Sequence, residues 1–182
     1  DVKGAFFLCK NGTVIGSYTH ERIRTFPASG GVTVLSKLTR NEAILSEGEK
    51  LLSNIKWNGL VMLEFLYDHR SNVYKIIEAN PRLWGSIMLS EYGGAKLLLN
   101  YIRLCDEENC LIPSYKDDAY IRWFLPDFVS YIKSGFKIKY FWKRHNTCFI
   151  NWTYANKISA LIFFLYSLLQ PANIKKMIKR MK

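Results

Sequence analysis

The stretch LVMLEFLYDHRSNVYKIIEANPRLWGS, residues 60–86, decides how this chain is read. It holds two apolar runs, residues 60–67 and 73–79, each of strand length and rich in residues that favour strands. The polar segment Asp68-His69-Arg70-Ser71-Asn72 between them has the composition of a hairpin connection. Each run carries one carboxylate where a strand should be apolar, Glu64 and Glu78. A hairpin centred on Ser71 sets these two opposite one another. Like charges facing across a sheet destabilise it, and burying an unpaired carboxylate costs roughly several kcal/mol, so the pair needs a cation. Period two places Glu78, Asn80 and Arg82 on one side of the second strand and its exit. Two carboxylates and an amide oxygen make a hard, all-oxygen donor set suited to Mg²⁺. The adjacent arginine suits a phosphoryl or acyl-phosphate group. The same residues admit a plainer reading, a strand edge in which Lys75 or Arg82 neutralises the glutamates and Pro81 simply ends the strand.

Upstream, residues 5–9 and 13–18 flank Lys10-Asn11-Gly12, whose Asn-Gly pair predicts a tight hairpin. His20, Arg22 and Arg24 alternate along the continuing strand and are expected on one face, a basic row suited to polyphosphate or, more plainly, to solvent. Pro27, Gly30 and Gly31 mark a loop without the Lys-Ser/Thr of a Walker sequence. Residues 41–55 read as a helix capped by Asn41, with Ala43, Ile44, Leu51, Leu52 and Ile55 as its apolar face and Gly48 as a weak point. Beyond the central hairpin, helices are predicted over 87–92 and 95–104, broken at Gly93-Gly94. Leu97, Leu98, Tyr101, Ile102 and Cys105 form the expected buried stripe of the second. Residues 119–124 read as a strand ended by Pro126.

Glu64, followed fourteen residues later by Glu78-Ala79-Asn80-Pro81-Arg82, resembles the metal-binding end of the ATP-grasp superfamily, the carboxylate–amine (or thiol) ligases. Gly12-Thr13-Val14-Ile15, then His20-Glu21-Arg22-Ile23-Arg24-Thr25-Phe26-Pro27 and Gly30-Gly31, are similar to the segment preceding that hairpin in the carbamoyl-phosphate-synthase-like branch. Leu83-Trp84-Gly85-Ser86 continues the branch's pattern, and the likeness covers about residues 4–104. It implies an α+β fold over residues 1–127, the C-terminal portion of an ATP-grasp domain with an antiparallel sheet and packed helices. It implies ATP and Mg²⁺ (or Mn²⁺) as cofactors, with Glu64, Glu78 and Asn80 as metal ligands. Arg82 is then the catalytic cation, His20, Arg22 and Arg24 approach the nucleotide and acyl phosphate, and the substrates are a small carboxylate and an amine. The half of such a domain that carries adenine contacts and phosphate-binding lysines has no counterpart in the sequence. The chain is therefore expected to be a fragment of a longer enzyme, catalytically silent alone.

Composition adds a second feature. The chain of 182 residues carries a net charge of +11, and the excess is confined to its last third. Residues 1–127 contain 15 Lys and Arg against 15 Asp and Glu, whereas residues 128–182 contain 11 Lys and Arg and no acid. This segment is expected to be a basic, apolar, mostly helical appendage. Its apolar run at 158–169 is too short to span a bilayer. Over 173–182, Ile174, Met177, Ile178 and Met181 share one helical face opposite lysines and an arginine. Such a helix either lies in an anionic membrane interface or packs on the domain with its basic side in water. No nucleic-acid partner is expected, because no binding motif accompanies the basic residues. Four cysteines without a metal-site spacing suggest reduced thiols and a cytoplasmic protein, which the basic segment would make peripheral at the inner face of the membrane if it contacts lipid. A binding or membrane-tethering module that keeps the fold without catalysis is the rival to the ligase.

Overall fold

A computed structural model of the chain describes residues 2–27, 31–133 and 146–150. The order is β1 (Val2–Lys10), β2 (Thr13–Phe26), β3 (Val32–Thr39), α1 (Glu42–Asn54), β4 (Gly59–Asp68), β5 (Val73–Asn80), α2 (Met88–Tyr92), α3 (Leu97–Cys105), β6 (Ala119–Trp123), α4 (Phe124–Lys133) and β7 (Asn146–Ile150). The strands form one sheet in the order β5-β4-β1-β2-β3-β6-β7. Every pairing is antiparallel except β6 with β7. The fold class is the expected α+β arrangement of an antiparallel sheet with packed helices.

The strand β1 sits between β2 and β4, and its residues from Gly4 to Cys9 are buried. Alternation sends Phe6 and Leu8 to one face, where they pack with Tyr18, Trp84, Leu89 and Leu97. Ala5, Phe7 and Cys9 go to the other, against Ile44, Leu45 and Leu52 of α1. The Asn-Gly turn forms as expected. Lys10 pairs with Thr13, and Asn11 and Gly12 both take positive φ, as a type I′ hairpin requires.

Asn41 caps α1 by accepting from the Ile44 amide at 3.2 Å. The buried face is Ile44, Leu45, Gly48 and Leu52, whereas Ile55 is exposed. Gly48 is at a close approach: a Cβ there would lie 2.4 Å from Cζ of the buried Phe7 ring.

In α3 the expected stripe is turned outward. Leu97 is buried, but Tyr101, Ile102 and Cys105 are exposed. The inward position belongs to Asn100, whose amide donates to the Leu111 carbonyl at 2.9 Å and accepts from its N–H at 2.8 Å. A side chain that satisfies both backbone groups of a packed loop outcompetes the apolar stripe for the buried face.

The expected division after Asp127 falls inside α4, with Pro126 in its first turn, and β7 at 146–150 adds a strand to the sheet. The apolar run at 158–169 and the amphipathic pattern at 173–182 lie outside the described residues. Among the described residues no helix is long and apolar enough to cross a membrane.

Replacing Gly48 by alanine should destabilise the protein by about 1–3 kcal/mol despite alanine's better helix propensity. Urea midpoints test this; a stabilised variant would show that Phe7 moves aside.

Candidate functional site

The central hairpin brings its two carboxylates together. Glu64 pairs with Glu78, and Met62 with Asn80. The loop itself is centred one half-residue earlier than Ser71, since Asp68 pairs with Val73 and Phe65 with Ile76. An uninterrupted ladder would then set Glu64 against Ile77. A bulge between Glu64 and Phe65 leaves Ile77 as the extra, exposed residue and returns Glu78 to face Glu64. With Glu78 and Asn80 two apart, both share the face of Glu64.

Neither glutamate has a cationic partner among the described residues. Lys75 pairs with Asp68 instead, at 2.5 Å. Arg82 lies beyond the end of β5, exposed, and makes only a 3.4 Å bond from Nη1 to the Leu83 carbonyl. The ion-paired strand edge is therefore absent. Two facing carboxylates and a nearby amide oxygen fit a hard divalent cation. Among the described residues no group of three His, Cys, Asp or Glu side chains is placed to hold a metal. The amide of Asn80 would have to supply the third protein oxygen.

Register extends this row across the sheet: Glu78, Glu64, Gly4 and His20 are successive partners on β5, β4, β1 and β2. Gly4 has no side chain, so the row opens into a cavity of about 480 Å³. Glu64, His20 and Arg22 line it, together with Ser36, Trp84 and Trp123. Glu78, Asn80, Arg24 and Arg82 do not. Trp84 is fixed by its Nε1 donating to Tyr18 Oη at 3.1 Å, and burial pushes the Tyr18 hydroxyl far above its usual pKa.

Arg24 does not share a face with His20 and Arg22. The ladder shifts between Arg22, opposite Ser36, and Arg24, opposite Leu35, so the bulge at Ile23 turns Arg24 to the other side. There its Nε and Nη2 donate to Asp127 at 2.8 and 2.6 Å, and Arg122 Nε donates to the same carboxylate at 2.6 Å. Asp127 is fully buried, and this cluster ties β2 and β6 to α4. The expected nucleotide contact is, for Arg24, a structural ion pair.

Arg22 is held by Nε donating to Thr33 Oγ1 at 2.7 Å and Nη2 donating to the Gly31 carbonyl at 2.9 Å. His20 leaves Nδ1 buried without a partner among the described residues, and burial, then the Arg22 charge, push its pKa down to about 4. Sequence alone did not single out Ser36 or Trp123. Their place at the cavity depends on β3 and β6 pairing, which joins segments some 85 residues apart.

No family model matches the chain, and no curated protein matches it. Among solved structures it is similar to the phosphoribosylaminoimidazole carboxylase ATPase subunit of Aquifex aeolicus (13% identity, TM-score 0.47), over 63% of this chain and 37% of that one. It is also similar to Rhizobium etli pyruvate carboxylase T882A (14%, TM-score 0.49), over 65% of this chain and 13% of that one. A third is N5-carboxyaminoimidazole synthetase from Staphylococcus aureus (14%, TM-score 0.43), over 60% of this chain and 30% of that one. These are ATP-grasp proteins. The chain spans 37%, 13% and 30% of the lengths of these three, and nothing about activity rests on so partial a likeness.

Two outcomes are expected. Asp127→Asn removes the carboxylate that two guanidinium groups share and should cost about 3–5 kcal/mol in urea unfolding; a loss below about 1 kcal/mol would show the cluster to be dispensable. Because His20 protonates near 6.5 when unfolded and near 4 when folded, its contribution to stability is present above pH 6.5 and lost as pH falls toward 4. The stability of His20→Gln should therefore fall less steeply across that window than that of the wild type; parallel profiles would contradict the depressed pKa.

Proposed function

We propose that this chain is the metal- and phosphate-binding part of an ATP-dependent ligase that activates a carboxylate as its acyl phosphate and joins it to an amine or similar nucleophile. The observation supporting this is the apposition of Glu64 and Glu78, with Asn80 on the same face and no cationic side chain paired to either glutamate among the described residues. Glu64, Glu78 and Asn80 would hold Mg²⁺ through oxygen. Such an ion would offset the negative charge of the ATP phosphates during transfer. Arg82, exposed and loosely tethered, would bring its guanidinium to the transferring group, and His20 and Arg22 would face the same anionic region. In the reaction a substrate carboxylate oxygen attacks the γ-phosphorus and ADP leaves. The nucleophile's nitrogen then attacks the acyl carbon, and phosphate leaves with the bonding pair.

A cytoplasmic setting fits ATP and small-molecule substrates. The rival reading, a tethering module that contacts an anionic membrane through residues 128–182, is favoured by the 11 cationic and no acidic residues there. It requires no ATP chemistry, which separates the two.

The test is Mg²⁺-dependent ATP hydrolysis by the longer protein containing this chain, across a panel of carboxylates. One acid should stimulate turnover, and Glu78→Gln should reduce the stimulated rate by about 100-fold or more. The 182-residue chain alone should be silent. Turnover unaffected by Glu78→Gln, or none with any acid, would count against the ligase and leave the tethering module.

A further inference from the structure

We propose that the cavity between Trp84 and Trp123 seats the carboxylate substrate and selects acids with an apolar, aromatic-sized body and no ammonium group. This rests on the ligase reading above and names its substrate class. The walls are chiefly apolar: Trp84 and Trp123 with Phe6, Val34, Met62 and Pro126. A volume of about 480 Å³ falls in the range of small-molecule pockets. Apolar surface entering it contributes about 25 cal/mol per Å² removed from water.

The polar features converge at one end. Ser36 is 1% exposed, and its Oγ is buried without a partner among the described residues, as is Nδ1 of His20. A buried polar atom left unpaired costs about 1–3 kcal/mol, which a bound ligand would recover. Ser36 is the direct cross-strand partner of Arg22, so both side chains leave the sheet on one face, and the exposed Arg22 side chain then runs along β3 to Thr33 and Gly31. Arg22 is oriented by two neutral acceptors, Thr33 Oγ1 and the Gly31 carbonyl, and no carboxylate among the described residues offsets its charge. An oriented guanidinium without a carboxylate partner and an unsatisfied hydroxyl, both lining one cavity, suit a carboxylate. Among the described residues lining the cavity, Glu64 is the one acid, and it belongs to the metal set. An α-ammonium group would find no separate counter-charge, so amino acids are disfavoured against acids of the same body.

Isothermal titration of the 182-residue chain with 3-phenylpropanoate tests this without ATP. Saturable binding is expected, weaker by about tenfold or more for phenylalanine, for 3-phenylpropanol and for succinate. Arg22→Gln should weaken it by about tenfold. Ser36→Ala should also weaken binding while leaving the unfolding midpoint unchanged or raised, because it removes an unsatisfied hydroxyl. Equal affinity for phenylalanine or succinate, equal affinity in Arg22→Gln, or no binding by the folded wild type at millimolar ligand would overturn the proposal. The parent reading fails differently. A longer protein that turns over ATP only with polar acids keeps the ligase and overturns this cavity. A chain that binds 3-phenylpropanoate while its longer protein turns over no ATP keeps the cavity and overturns the ligase.

Discussion

The strand β1 has to be buried on both faces, and most of the structure follows from that. Phe6 and Leu8 require one cover and Phe7 and Cys9 another, so the sheet carries α1 on one side and α2 with α3 on the other. Flanking strands β2 and β4 must pair with β1 on both edges, which fixes their register residue by residue. Through that register Glu64 stands next to Gly4, and Gly4 next to His20. The helical cover stops near Phe6 and Trp84. Beyond it on the same sheet face lie the carboxylates and the cavity, which Trp123 and Pro126 also line.

Two bulges then sort the charged residues. One, at Ile77, compensates for the position of the hairpin loop and brings Glu78 to Glu64. The other, at Ile23, sends Arg24 away from Arg22 into the buried cluster with Asp127 and Arg122. A single extra residue thus makes a like-charged pair in one strand and dismantles a basic row in another. The first arrangement is unfavourable unless a cation joins it, by about 0.2–1 kcal/mol for facing like charges in a sheet. The second supplies its own counter-charge.

Much of this was legible in the sequence because it is local. The two strands, their connection, the Asn-Gly turn and the Asn41 cap all follow from residues within one hairpin or one helical turn, whereas the opposed glutamates, expected from a loop centred on Ser71, face each other through the bulge at Ile77. The Ile23 bulge was not legible, since strict alternation of His20, Arg22 and Arg24 is what an unbulged strand would show. The outward turn of Tyr101 and Ile102 was hidden because Asn100 earns its buried place only through the backbone of Leu111, eleven residues away. Ser36 and Trp123 meet the site through the pairing of distant segments, which period and composition do not encode.

The central claim is that Glu64 and Glu78 are held together for a divalent cation and not for the fold. Urea unfolding of the wild type and Glu78→Gln, each with and without Mn²⁺, tests it most directly. Relief of the facing charges should make Glu78→Gln the more stable of the two without metal, and Mn²⁺ should stabilise only the wild type. A metal-free Glu78→Gln less stable than the wild type, with no response of either to Mn²⁺, would contradict the account and make the pair part of the scaffold.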